Sequence, residues 1–467
     1  MSDMTSQASI RAHRPQRGAA SLAVVMVLFL VMALVAGYTG RNLIFEQRTG
    51  ANQWRSTQAV EVAQAGLDWA IAQLNSGRIT NACMASPQEA DQSFRQRYLE
   101  IRASDGVIRP KRYDADGDGV PDDALWPSCV ATADGWNCSC PVDDRPALPA
   151  PAGTEVRPAF RVEFFNVFDP PPLGMSTGTP GLIGIRVAGC TRLTQPGDQD
   201  DCLSLVPPGA ASAPLPAQPD GRAVVTALVA LKSGLAVPPG TPALVRTSAA
   251  GDIQVTNADV PSGGFTVQAG GAVTIAESNL FSIPGVPAAR SILDADPSLA
   301  NAALPADPFP IGDRMFAQTF SLWPALYREQ PGTLVIDCPG GVCTDAQVRA
   351  AARLNPGRPL WLAGRLEVNA SADIGAPTQP LVVIVEGNVA FNASATLHGV
   401  LYGGRSAALP GVPWTVTGPG TISGALIAEH ALTGVANPVV SFSRGVLDHL
   451  RLQTGTFVMV PGSWRDF

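Results

Sequence analysis

Twenty-two consecutive residues, Ala19 to Gly40, carry no charge. As a helix they would span roughly 33 Å, enough for a hydrocarbon core of ~30 Å. Arg11, Arg14 and Arg17 precede the run, so its N-terminal end is expected on the cytoplasmic side. A secretory signal has an apolar stretch of only about 7–15 residues, followed by a small-residue cleavage site. Here the run is longer, and the small residue, Gly18, lies before it. The segment therefore reads as a single-pass, N-in anchor.

The helical pattern continues past the apolar run. Val60, Ala63, Leu67, Ile71 and Leu74 recur at amphipathic spacing. Asn75-Ser76-Gly77 is a stop signal. A continuous helix over residues 19–76 would be about 87 Å long. Gly37, Gly40, Gly50 and Gly66 are points where it could bend, since each costs roughly 1 kcal/mol against Ala.

A basic leader, Gly18 followed by Ala19, an apolar run and an amphipathic extension resemble the start of a type IV prepilin. Gln16-Arg17-Gly18-Ala19-Ala20, Glu46-Gln47-Arg48 and the stretch from Gln58 to Leu67 are similar to the PilX family of minor pilins. The last residues, Pro461 to Phe467, resemble endings of such proteins. The resemblance implies cleavage by prepilin peptidase between Gly18 and Ala19, methylation of the new N-terminus, and passage from the inner membrane into an extracellular filament. It also implies other minor and major pilins as partners, with a PilY-type tip adhesin as a further neighbour. The sequence departs from the family at two places. The fifth mature position, usually Glu, is Ala23, and the usual Ala-Glu-Ala is Ala63-Gln64-Ala65. An unpaired buried carboxylate costs several kcal/mol, and the K-type pseudopilin, which lacks this Glu, is thought to sit at the tip. By analogy Ala23 suggests a priming or tip position.

Beyond the helix, residues 78–220 lack sustained helical periodicity. Charged residues make up 15% of the chain, well below the roughly 25% of ordinary soluble domains. The net charge is −7 and no basic domain stands out, so nucleic acid is not an expected partner. Residues 77–220 read as a pilin-like middle region. Stretches 145–153 and 206–220 are rich in Pro and Ala and read as linkers or loops. Phe160–Phe165 and Leu182–Val187 are strand candidates.

The most chemically specific stretch is Asp114-Ala115-Asp116-Gly117-Asp118-Gly119-Val120-Pro121-Asp122-Asp123. Alternate carboxylates at Asp114, Asp116 and Asp118 can converge on one cation. Gly119 permits a sharp turn, the Val120 carbonyl can contribute, and Asp122 or Asp123 can close the sphere. Hard oxygen ligands suit a structural Ca²⁺. The twelfth position, Glu in an EF-hand, is Leu125, so the loop is more similar to thrombospondin-type calcium repeats. A solvated acidic turn is the alternative.

Eight cysteines follow the membrane segment: Cys83, Cys129, Cys138, Cys140, Cys190, Cys202, Cys338 and Cys343. On the oxidising side of the membrane four disulfides are the economical reading. Cys338–Cys343 and Cys190–Cys202 are local candidates, and the other four would pair among themselves. A zinc site is the runner-up, although no C-x-x-C is present.

Residues 221–467 read as a β-rich C-terminal domain of short strands broken by Gly, Asn and Pro. The expected strands include 253–256, 265–267, 273–275, 334–336, 360–362, 366–368, 381–385, 389–391, 397–401 and 421–427. A β-solenoid is favoured by rungs of three to five residues with small corner residues, and a β-sandwich is the alternative. Asp345–Leu354 reads as a short helix capped by Thr344. This C-terminal half holds no H-E-x-x-H, G-x-S-x-G or C-x-x-C motif, and the chain is not read as an enzyme. Trp361, Trp414 and Trp464 are candidates for a sugar- or partner-binding face, with packing as the alternative.

The fold class expected is therefore α+β: a long N-terminal pilin helix followed by a β-rich, solenoid-like ectodomain. The function implied by the resemblance is a PilX-type minor pilin in the priming or tip complex. An envelope-anchored adhesin with an uncleaved helix is the alternative, and a secreted polysaccharide-active solenoid is a third.

Overall fold

The computed structural model describes residues 17–114, 123–143, 148, 157–167, 179–192, 203, 221–300, 313–403 and 412–466. A long apolar N-terminal helix is followed by a β-rich remainder, an α+β chain. It divides into two compact units, Met1–Gln58 and Ala59–Phe467.

In the first unit every described residue belongs to helix α1 (Arg17–Leu74). Large apolar side chains from Leu22 to Phe45 are exposed, Phe29 by 74%. Among the described residues one helix is long and apolar enough to cross a membrane, and it is α1. It is a candidate membrane anchor. Gly37, Gly40, Gly50 and Gly66 do not interrupt it.

In the second unit the last turns of α1 lie on an antiparallel sheet. The buried positions are Ala59, Val62, Ala63, Gly66, Leu67, Ala70 and Leu74. Val60 is only half-buried and Ile71 packs at the margin, so the contact line is rotated from the one that apolar spacing suggests. Small residues set it. A Cβ at Gly66 would lie 2.7 Å from Phe160, and one at Gly189 would lie 2.4 Å from Ala59 O.

That sheet is ordered Leu99–Ile101, Val107–Pro110, Thr179–Pro180, Leu182–Cys190, Ala159–Phe165, Ser128–Thr132 and Gly135–Ser139. The first two strands are termed β1 and β2. Arg222–Ser233 also pairs with Leu182–Cys190, and carries Gly455–Met459 and Arg465–Asp466 on its other side. The sheet thus draws strands from both sides of residue 220. Its closure by the end of the chain is tied to α1 through Asn75. Asn75 Nδ2 donates to Phe457 O, and Phe457 N donates to Asn75 Oδ1, both at 2.8 Å.

From Leu334 onward the chain alternates between two other sheets. Leu334–Ile336, Leu360–Leu362, Leu381–Val385, Thr396–Gly403, Thr421–Ala428 and Val439–Phe442 build the larger one. Val342–Thr344, Arg365–Val368, Val389–Phe391, Trp414–Thr417 and Leu432–Val435 build the smaller. These pairings are all parallel, each strand lying beside the one two steps earlier. The earlier segment 243–293 continues both sheets past the last turns, with Ala243–Val245 beside Thr421–Ala428 and Ala249–Gly251 beside Leu432–Val435. The stretch Val383–Asn392, which reads as strand, turn, strand, is a corner between the sheets and not a hairpin. The strands read at 265–267 and 273–275 differ too. The first is Val267–Ala269, and the second is reduced to a single bridge at Val273.

Two cores flank the larger sheet. Val383, Leu397, Leu401, Ile422, Leu426 and their neighbours fill the space between the two parallel sheets. On the other face Val382, Ile384, Val400, Tyr402 and Ile427 pack with Phe316, Phe320 and Leu447. The latter come from helices Asp313–Phe320 and Arg444–Gln453. Gly399 and Gly424 stand in register on adjacent strands. A Cβ at Gly399 would lie 1.9 Å from Leu381 O, and its φ of +148° is rare for other residues. Asp345–Leu354 is helical, with Thr344 and Gln347 forming a capping box.

Candidate functional sites

Gly18 and Ala19 lie in the first turn of α1, which begins at Arg17. The acidic stretch is bracketed by a two-stranded hairpin. Arg112 pairs with Ala124 and Tyr113 with Asp123. This pairing brings the two ends of the ten-residue candidate cation loop side by side. Asp114 is exposed, and Asp123 is described by its backbone. Asp116, Asp118, Val120 and Asp122 lie outside the described residues.

Three disulfides join described cysteines: Cys83–Cys140, Cys129–Cys138 and Cys338–Cys343. Cys190 is also disulfide-bonded, and Cys202 lies outside the described residues. Cys129 and Cys138 are direct cross-strand partners. Cys83–Cys140 ties the loop after α1 to the chain beyond the sheet's edge strand. Among the described residues no group of three or more His, Cys, Asp or Glu is placed to hold a metal.

The tryptophans do not form a face. Trp361 and Trp414 are each 3% exposed. Trp361 Nε1 donates to Glu386 at 2.7 Å, and Trp414 Nε1 donates to Gly387 O at 2.8 Å. Both belong to the packing of the parallel sheets, while Trp464 is partly exposed.

A groove of about 940 Å³ lies wholly within the second unit. One wall is β1 with the segment before it, and the other is helix Asp345–Leu354 with the 372–381 loop. Arg353 pairs with Glu89 at 3.0 Å, and Arg349 pairs with Asp345. Arg78 donates to the carbonyls of Arg353 and Asp91. Lys111 Nζ donates to Gln96 O at 2.6 Å.

Arg95, at the floor, is 4% exposed. It donates to Leu74 O at 2.9 Å, Gly357 O at 3.2 Å and Gly455 O at 3.1 Å. Burial, with Arg358 nearby, lowers its pKa to about 9, so the charge persists at neutral pH. Burial also lowers the pKa of His449 on the rim, so this ring adds no full charge at neutral pH. Sequence reasoning missed the groove, because its walls come from segments more than two hundred residues apart.

No known protein family and no curated protein matches the sequence. Among solved structures, the competence-associated pilin ComZ from Thermus thermophilus is similar to it at 11% identity. The match covers 88% of this chain and 97% of that one with a TM-score of 0.23, too low to establish a shared fold.

Proposed function

We propose that the chain is a pilin-like subunit, of PilX type, that acts by assembly and not by chemistry. α1 holds it in the inner membrane, prepilin peptidase cuts between Gly18 and Ala19, and the subunit then enters a filament with other pilins. The observation that carries this reading is α1 itself. It is apolar and exposed over its first turns, and packed on an antiparallel sheet by small residues over its last. Ala23 in place of a carboxylate favours a priming or tip position, next to a PilY-type adhesin. The alternation of parallel strands between two sheets supports a β-solenoid ectodomain, displayed beyond the filament shaft.

The N-terminus of the mature protein tests the reading. Mass spectrometry of cells with and without prepilin peptidase is expected to find a start at Ala19 only when the peptidase is present. An intact leader in both strains would reduce α1 to a plain anchor and leave an envelope adhesin.

The acidic loop is proposed to hold a structural Ca²⁺. The support is the D-x-D-x-D-G order and the hairpin that closes the loop at Tyr113 and Asp123. Extracellular sites of this kind bind with Kd of about 10⁻⁴–10⁻³ M. Calorimetric titration to ~10 mM Ca²⁺ is expected to give saturable binding that Asp116→Asn together with Asp118→Asn removes. No heat and no gain in thermal stability would sink the calcium reading without touching the filament one.

A further inference from the structure

β1 is the edge of the antiparallel sheet, and among the described residues it pairs with β2 alone. The register decides which of its backbone groups stay open. Lys111 N donates to Tyr98 O, and Arg102 N donates to Val107 O. Glu100 opposite Arg109 is in phase with those bonded pairs. Leu99 and Ile101 are out of phase, so their peptide groups point away from β2. The Leu99 N–H is taken by Arg95 O at the end of the preceding helical turn. The Leu99 carbonyl and both peptide groups of Ile101 therefore face the open edge.

That edge opens onto the groove, which Leu99, Glu100 and Ile101 line. An exposed edge is a template for another strand. Here the opposite wall stands off instead of covering it. The walls also carry a charge bias. Five cationic side chains line the groove against three carboxylates, Glu89, Glu100 and Asp373. Glu89 is already paired with Arg353, and Asp373 lies 3.6 Å from His398. Among the described residues, Arg78, Arg95 and Lys111 donate to carbonyl oxygens and to no carboxylate.

We infer that the groove receives an extended, acidic peptide segment of another protein, which adds to β1 as a further strand. Ile101 exchanges two main-chain hydrogen bonds with the incoming strand and the Leu99 carbonyl accepts a third. Lys111 and Arg353, on opposite walls, select carboxylate side chains along it. The inference does not rest on the filament reading, because a strand-accepting groove serves an anchored protein equally well.

The test is a selection of displayed random octapeptides on the full chain in detergent micelles. Peptides enriched in Asp and Glu are expected. Methylating the central backbone nitrogens of an enriched peptide is expected to weaken it about tenfold or more, as loss of main-chain hydrogen bonds requires. Ile101→Pro should do the same, since that nitrogen has no partner in β2. Lys111→Glu with Arg353→Glu, which leaves the edge backbone intact, should weaken acidic peptides and spare neutral ones. Three outcomes overturn the inference. These are no enrichment over the input library, selected peptides indifferent to N-methylation, and self-association of the chain that Ile101→Pro abolishes.

Discussion

Gly189→Val is expected to detach the last turns of α1 from the sheet. The added Cβ would lie 2.4 Å from Ala59 O and 2.5 Å from Ala63 N. Both are backbone atoms of a helix, so no side-chain rotation relieves the clash. Overpacking a core typically costs about 1–3 kcal/mol when side chains can give way. Here the helix must move as a body, and the expected loss is at the upper end or above it. Helix displacement also uncovers Leu67, Ala70 and Leu74, which are buried against the sheet. The check is hydrogen exchange across 59–74, with expected loss of protection there while the parallel sheets keep theirs. Gly50→Ala is the control. It lies on the same helix with nothing within 4 Å of the new Cβ, and it should be neutral or gain up to about 1 kcal/mol. Equal protection in Gly189→Val and the parent chain would show that the contact is not what seats the helix.

That contact also shows how far the sequence could be read. Apolar spacing announced the helix from the membrane run to Leu74, and its end at Asn75-Ser76-Gly77 matched the observed terminus. The buried face was less legible, because Ala59, Ala63 and Gly66 are chosen for smallness and carry little hydropathy signal. Local strand patterns marked Leu360–Leu362, Leu381–Val385 and Val389–Phe391. What they could not reveal was pairing. A corner between parallel sheets and a hairpin turn use the same Gly and Asn, so Glu386-Gly387-Asn388 reads locally as a turn between adjacent strands. Membership of Gly455–Met459 in the first sheet was equally hidden, because its partner Arg222–Ser233 lies more than two hundred residues away and leaves no local trace. The groove is a product of that non-local closure. Asn75, read as a helix stop, is also the residue that holds Phe457.

Arg95→Met is expected to loosen the same closure from the other side. The guanidinium joins three segments: the end of α1 at Leu74, the turn at Gly357 and the strand that starts at Gly455. It also lies over the Phe457 ring, 5.2 Å from its centroid. Two effects oppose each other. Removing a desolvated charge can be neutral or stabilising when its partners are replaced with it. Here the partners are main-chain carbonyls, which no side-chain substitution removes. One is an orphan carbonyl of the helix C-terminus. Each buried polar group left without a partner costs about 1–3 kcal/mol, so the losses outweigh relief of the buried charge. A net destabilisation of about 3–5 kcal/mol is expected, in the range seen when one side of a buried charged contact is removed. Arg95→Lys should fall between, because an ammonium keeps the charge but cannot span three carbonyls in one plane. Denaturant unfolding followed by hydrogen exchange at residues 74–79 and 455–459 separates local opening from global loss. A methionine variant within about 0.5 kcal/mol of the parent would mean that water or backbone adjustment satisfies the three carbonyls. Asn75 would then carry the closure by itself.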